Sequence, residues 1–532
     1  MAPEDPQAAA AASASGERPI RAAEVVGALS LATDLGTGQP LEHALRTAVL
    51  AVRLGELAGA SGRELADTYY VALLHASGCT SNSHEAAQLY GDDIAHRAAF
   101  FLIDATNPAE VLAFYRANVG VGRTPEVRTA LLEDAVANAG PRARDAFATM
   151  CEVAQRFAGW LGLDPGIQTA LEFVFARWDG RGFPDVRGDA IPPPMRLLHV
   201  ARDISLFLSA GGRDEARDVL ERRSGDAYEP RLAGLALENL DDLLAGLDET
   251  HMWEQALDSE PLPKLWIAGE RLDAAFAAIA ALTGLKSPWF REHASGVADL
   301  AEAAAWRMGM PADAVRWLRR AALAHDLGRV GVSNAIWEKP APLGFGEWER
   351  VRLHPHFTER AFAQSATLAP VGALAGAHHE RLDGSGYHRG ARGPALDRAT
   401  RILAVADCYG AMREARPYRP ALDTPAAEAE LLREAKEGRL DPDAVDAVLA
   451  AAGHHVRERP RELPAGLTDR ELEVLLVLAR GKSNQVIGED LGISAKTVGH
   501  HVERVYRKTG VRSRAAATLW AFEHDLVRVG RA

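Results

Sequence analysis

The chain has 532 residues, with 60 Lys/Arg against 73 Asp/Glu and a formal net charge of −13. At roughly 100–200 residues per domain, this length predicts about three to five domains. An apolar fraction of 47% and a charged fraction of 25% exclude a collagen, a coiled-coil rod and a wholly disordered chain. No uncharged apolar run of about 18 residues is present, so no membrane span is expected. Cys79, Cys151 and Cys408 are too few and too scattered for a disulfide framework, which fits a reducing, cytoplasmic location. Taken alone, the negative balance argues against a nucleic-acid partner, but it is an average over the whole chain.

In chain order, residues 1–19 (MAPEDPQAAAAASASGERP) lack the cationic start and apolar stretch of a signal peptide and read as a disordered tail. Helical patterns follow almost throughout. Runs such as LEHALRTAVLAVRLGELAGA and ADLAEAAAWRMGM place apolar residues three and four apart and are rich in Ala, Leu, Glu and Arg. Alternating strand patterns are scarce, so the fold expected is all-α.

An internal repeat is visible. LEHALRTAVLA around His43 resembles REHASGVADLA around His293, and ALLHASG around His75 resembles ALAHDLG around His325, both at an offset of 250. WDGRGFP, from Trp178, resembles LDGSGYH, from Leu382, and Asp179/Asp383 and Asp203/Asp407 are both 204 apart. The offsets differ by 46, so copy one carries that many extra residues, expected between residues 80 and 160. Two copies of one helical domain are therefore expected, at 20–248 and 268–453, joined by DETHMWEQALDSEPLPKLW. A charged linker with two prolines, residues 453–466, precedes a third domain at 466–532.

Copy two gathers His293, His325, Asp326, His354, His378, His379, Asp383 and Asp407 within about 115 residues. The frames are AHDLGR, RLHPHF, AHHERLDGSGY and AVADCYG. Imidazole suits Fe, Mn, Ni or Zn, and carboxylate suits Mn, Fe or Mg. Two such ions about 3.5–4 Å apart clamp the attacking and leaving oxygens of a phosphodiester. The adjacent His–Asp pair offers one ligand to a single ion and one able to bridge. Asp383 to Gly386 read instead as a loop element, with glycines for positive φ and an aspartate to accept a neighbouring amide.

These motifs resemble the HD-GYP family of HD-domain metal-dependent phosphohydrolases, over about 170 residues. The resemblance implies an all-helical domain with two or three metals, often iron or manganese, and hydrolysis of cyclic di-GMP in many members. By position it implies His293, His325, Asp326, His354, His378, His379 and Asp407 as ligands, with Asp326 bridging. Asp326 and Arg329 fall at catalytic positions, and Arg416, Arg419 and Tyr387 at substrate-contacting ones. Two divalent transition ions are expected, iron or manganese first, with zinc, nickel and magnesium also compatible. Three positions depart from the family pattern. Arg329 replaces a lysine, His388 replaces the proline of Gly-Tyr-Pro, and Trp289 stands where three-metal members carry a glutamate.

Copy one keeps WDGRGFP, His43 and Asp203, but His325-Asp326 becomes His75-Ala76 and His378-His379 becomes Val174-Phe175. Too few ligands remain for a binuclear centre. A supporting, dimerising or ligand-sensing role is expected. Asp92, Asp93 and His96, in the insertion, read as an acidic helix start rather than metal ligands.

The last 67 residues carry 11 Lys/Arg against 8 Asp/Glu, a surplus of +3, so the preceding body is −16. Residues 494–514 alone hold six basic residues against Glu503, an electrostatic footprint for phosphate. Four short helices are expected. Thr468 and Glu471 form a capping box, Gly481 closes the first helix, and Ser494 caps AKTVGHHVERVYRKTG. In that third helix Val498, Val502 and Val505 form the apolar face. The segment resembles the LuxR-type helix-turn-helix through its whole length. The resemblance implies double-stranded DNA as partner, with Lys496, Thr497, His500, His501 and Arg504 on the groove side and Lys508 and Arg512 at phosphates. Leu519, Trp520 and Phe522 on the last helix suggest a homodimer surface.

The reading is a cytoplasmic DNA-binding regulator in which a phosphodiesterase acting on a cyclic dinucleotide or related phosphodiester is coupled to DNA binding. The alternatives are a catalytically weak metal- and nucleotide-binding sensor, and a structural metal site with copy one as the sensor.

Overall fold

The computed structural model describes residues 17–247, 251–455, 464–524 and 526. Most of the expected tail (1–16), part of the expected linker (456–463) and the side chain of Phe522 lie outside the described residues. The chain divides into two compact units, Met1–His455 and Val456–Ala532.

The repeat is explicit in the first unit. Ile20–Arg21 pairs antiparallel with Trp266–Ile267, Ile20 opposite Ile267, so the two copies begin side by side. Each then enters an Ala-rich helix, Ala22–Thr37 or Glu270–Leu285. These helices are short of polar residues on nearly every face and are buried accordingly. His43–Leu57 and Arg63–Leu74 follow in copy one, His293–Arg307 and Ala312–Ala324 in copy two. Copy one's later helix, Pro193–Arg223, breaks its helical conformation at Gly212 (φ 80°), whereas its counterpart in copy two is Arg398–Arg413.

The copies interlock within this unit. A Cβ on Gly36 would lie 3.3 Å from the Val330 carbonyl of the other copy, a close approach that glycine permits. Glu24 pairs with Ser365. Glu17, at the end of the expected tail, accepts from Arg320 and from the Gly269 amide at 3.0 Å each, so residues 17–19 are tied down. The stretch expected to join the copies is also built in. Met252 and Trp253 on the helix Met252–Asp258 are buried, and Glu260 accepts from the Tyr70 hydroxyl at 2.7 Å.

The extra residues of copy one form the helices Asp93–Leu102, Pro108–Asn118 and Pro125–Ala137 and the start of Ala139–Trp160. Asp93, at the start of the first of these, is fully buried and meets copy two. Its carboxylate accepts from Lys286 (3.0 Å), Ser333 (3.0 Å) and the Asn334 amide (2.7 Å), and from Arg97 of its own helix (3.2 Å).

The second unit is four helices, Asp469–Ala479, Asn484–Leu491, Ala495–Thr509 and Arg514–Glu523. Thr468 and Glu471 make the reciprocal capping box, and Ser494 accepts from the Thr497 amide. The core joins Leu467, Val474, Leu475, Leu478, Ile487, Val498, Val502 and Val505. Among the described residues of the chain, no helix is long and apolar enough to cross a membrane.

Candidate metal centre and nucleic-acid interface

The candidate ligands sit at or beside helix ends, except Asp407, which lies within the helix Arg398–Arg413. His293 and His354 open helices, and His325 closes one. His325, His354 and His378 each turn Nδ1 to the carbonyl three residues back, Ala322, Val351 and Ala375, at 2.7, 2.6 and 2.7 Å. That hydrogen bond sets the ring and presents Nε2 inward. His293 is held differently. Its Nδ1 donates to Glu414 at 3.0 Å, a partner the motif reading did not single out.

The inward atoms form two sets that meet at Asp326. Its Oδ2 lies 3.0 Å from His325 Nε2 and 3.5 Å from His293 Nε2. Its Oδ1 lies 3.5 Å from His354 Nε2 and 3.6 Å from His378 Nε2. Asp407 closes both sides, with Oδ1 at 3.1 Å from His293 and Oδ2 at 3.6 Å from His379 Nδ1. His293–His325–Asp407 and His354–His378–His379 each form a group able to hold an ion. All seven expected ligands are therefore brought together.

A donor set of this kind fits metal ions. His354 and His378 point Nε2 at each other across 3.1 Å, although the carbonyl bonds give both the proton on Nδ1. His325 Nε2 and both oxygens of Asp326 are buried and make close charge contacts but no well-aligned hydrogen bond, which costs free energy unless another group satisfies them. Charge is arranged to match. Burial disfavours ionised carboxylates, yet Arg329 and His325 hold Asp326 well below the usual range. Burial likewise works against Asp407, and His293 and His325 hold it down. Burial lowers His378 to about 4, and lowers His354 and His379 as well, so these rings are neutral. Burial opposes a charge on His325 too, but Asp326 and Asp407 raise it to about 10.

Around this centre, Arg329 Nη1 lies 2.9 Å from Asp326 Oδ2, with its guanidinium over the Phe290 and Trp337 rings. Its Nε and Nη1 are buried without hydrogen-bond partners. Tyr387 packs on His379, with ring centroids 4.6 Å apart. Arg416 is buried, donating to the Trp289 carbonyl (2.7 Å) and Glu414 (2.8 Å). Arg419 differs from the expectation. Its donors go to the carbonyls of Ala411, Met412, Glu414 and Pro420, so it folds the loop that holds Arg416 rather than facing a substrate. In the LDGSGY loop, Gly384 takes φ 80° and Asp383 accepts the Ser385 amide at 2.9 Å. Gly386 is required for another reason: a Cβ there would lie 2.4 Å from the His379 carbonyl.

Copy one repeats the frame without the chemistry. His75 Nδ1 bonds the Ala72 carbonyl at 2.7 Å, as His325 does, and Gly182 approaches the Phe175 carbonyl as Gly386 approaches that of His379. Asp203 is instead neutralised by Arg202 (2.9 Å), Arg223 (2.6 Å) and the Tyr228 hydroxyl (2.5 Å). Asp93 is taken up by its ion cluster, and burial leaves His96 neutral, at about 3.

On the third helix of the second unit, Lys496, His500 and Arg504 are exposed, as is Arg512 beyond it, and Thr497 is half-buried beside Ser494. Two expected DNA contacts are placed otherwise. Lys508 donates to Glu471 (2.6 Å) and the Gly466 carbonyl (2.7 Å), so it ties this helix to the first one. His501 is half-buried, with Nδ1 enclosed. On the last helix Leu519 is exposed and Trp520 half-buried.

Fold and ligand set together define an HD-type helical phosphohydrolase framework with a helix-turn-helix module. Comparison with known proteins agrees. An HD domain model matches residues 278–444, and the model of bacterial regulatory proteins of the luxR family matches residues 465–521. A 3′3′-cGAMP-specific phosphodiesterase of Vibrio cholerae is 30% identical over 434 residues, covering 80% of this chain and 94% of that protein. A cyclic di-GMP phosphodiesterase response regulator of Xanthomonas campestris is 40% identical over 163 residues, 30% of this chain and 42% of that protein. A crystal structure of a cyclic GMP-AMP-specific phosphodiesterase of V. cholerae superimposes with a TM-score of 0.59 at 26% identity, over 82% of this chain and 99% of that one. The chain belongs to the HD-domain phosphohydrolases of the HD-GYP group and carries a C-terminal luxR-family domain.

Proposed function

We propose that copy two is a metal-dependent phosphodiesterase acting on a cyclic dinucleotide, and that its state is coupled to DNA binding by the C-terminal unit. The observation that carries this reading is Asp326, one oxygen toward each of two histidine sets. A pair of divalent ions bound by the seven residues would supply Lewis-acid stabilisation of charge on phosphate. The chain adds Arg329, whose buried Nε makes no hydrogen bond and whose Nη1 pairs with Asp326, a guanidinium suited to a phosphate oxygen. Tyr387 and His379 offer ring faces for a base. A 3′3′-linked GMP-AMP is the first candidate substrate, because the relative similar along both copies is specific for it by name; cyclic di-GMP is the second.

A sensor that binds metal and nucleotide without turnover is the second reading. The Arg329–Asp326 contact of 2.9 Å favours it, since a guanidinium beside the bridging carboxylate competes electrostatically with an ion there. The DNA role rests on the exposed Lys496, His500, Arg504 and Arg512, and a homodimer using the last helix and a cytoplasmic location complete the proposal. Incubation of metal-loaded protein with each cyclic dinucleotide tests it. Linear product that Asp326→Ala abolishes supports the enzyme, and tight binding without product supports the sensor. DNA binding is tested by its salt dependence on native upstream fragments against random DNA.

A further inference from the structure

Copy one has exchanged its metal ligands for a cavity. A void of about 610 Å³ lies among the inserted helices, with Leu89, Tyr90, His96, Phe100, Tyr115 and Phe147 in its walls. A second void of about 240 Å³ adjoins it and shares Phe100, Phe101, Ala143, Phe147 and Phe175. The first alone falls within the ordinary size of a small-molecule site. Its walls are flat in places. Tyr90 and His96 stack at 3.9 Å and 20°, and Phe147 and Phe175 at 4.2 Å and 18°.

The second void ends on Arg202, Asp203, Arg223 and Tyr228, the place where Asp203 stands in for the metal ligand Asp407. Two guanidiniums there share one carboxylate, leaving a local surplus of positive charge. The other arginines of that wall are matched. Arg177 pairs with Asp104 and Asp179, Arg181 with Asp179 and Asp226, and Arg144 with Asp185. In the larger void, Arg97 is buried and its Nε has no hydrogen-bond partner.

We propose that these two voids form a binding site for a small planar aromatic anion, its ring between the aromatic walls and its anionic group at Arg202 and Arg223. Arginine suits that group through its planar fork. The site also reaches copy two. Asp93 opens the helix whose next turns carry His96, Arg97 and Phe100, and it holds Ser333 and Asn334. Trp337 follows on the same segment and donates to the Arg329 carbonyl at 3.2 Å. An occupant therefore presses on the helix that grips the segment beside the metal centre.

The probe is 8-anilinonaphthalene-1-sulfonate, an aromatic anion, titrated into the full-length protein beside neutral Nile red. One saturable sulfonate site per chain is expected. Ala143→Trp, which fills the shared wall, should weaken it by about tenfold or more; Ala146→Phe serves the same purpose if that variant does not fold. Arg202→Gln should weaken the anion by roughly fivefold and leave Nile red unchanged, with Arg223→Gln as the alternative charge variant. Absence of a saturable site, or binding indifferent to both cavity-filling variants, overturns the proposal. Equal weakening of anion and neutral dye by the charge variants overturns the anionic assignment.

Discussion

Asp93→Ala tests how the two copies are held together. The substitution removes a carboxylate that serves four donors and leaves Lys286 with no exposed surface and no counter-charge. Stranding a buried charge costs about 3–5 kcal/mol, so a loss of about 4 kcal/mol is expected. For a unit running to His455, the unfolding entropy is about 0.9 kcal/mol/K, and the midpoint should fall by about 4 °C. Calorimetry of wild type and variant reads this directly. The double variant Asp93→Leu/Lys286→Met should recover part of the loss, because Lys286 is no longer stranded while buried Arg97 still loses its carboxylate partner. The pH dependence has a definite sign. Burial opposes the Asp93 charge, but Lys286 and Arg97 overcome it and hold the carboxyl below its ordinary range. The cluster's contribution is therefore whole at neutral pH and fades as pH falls below about 4. A shift under about 1 °C at pH 7 would refute the reasoning.

Gly328→Ala should disrupt the centre without touching a ligand, because the new Cβ would sit 2.0 Å from the His354 carbonyl; metal affinity should drop about 10- to 100-fold by isothermal titration, while Gly346→Ala, in open space, should leave it unchanged. Glu414→Gln keeps the shape but weakens the bond that orients His293, so metal affinity should fall by roughly tenfold in the same titration. Arg504→Ala should reduce the salt slope of DNA binding by about one. Lys508→Met should leave that slope unchanged and lower the melting temperature of the second unit, since Lys508 bonds Glu471.

How far the sequence spoke depends on how local the signal is. The seven candidate ligands sit in short sequence frames, most of them at helix ends and Asp407 within Arg398–Arg413, so the family resemblance could name them all before their distances were known. The capping box at Thr468 and the valine face of the third helix are local in the same way. Tertiary partners were not readable. Asp93 and Lys286 are 193 residues apart, and nothing near either names the other. Lys508 was expected at a phosphate from the LuxR-type resemblance, and its partner Glu471 lies 37 residues away. Arg419 was assigned by its motif, yet its donors are absorbed by a loop whose closure depends on backbone carbonyls that no side-chain pattern encodes. The two copies were legible as repeats but not as one interlocked unit, because shared burial of Ala22–Thr37 is a property of packing rather than of spacing.

Asp326 is proposed to join two ion sites in copy two. Elemental analysis of purified full-length protein, reconstituted with iron or manganese, measures this most directly. About two ions per chain are predicted, falling to one or fewer in Asp326→Ala with the fold intact by circular dichroism. Fewer than about 0.2 ions per chain in the wild type, or an unchanged content in the variant, would contradict it.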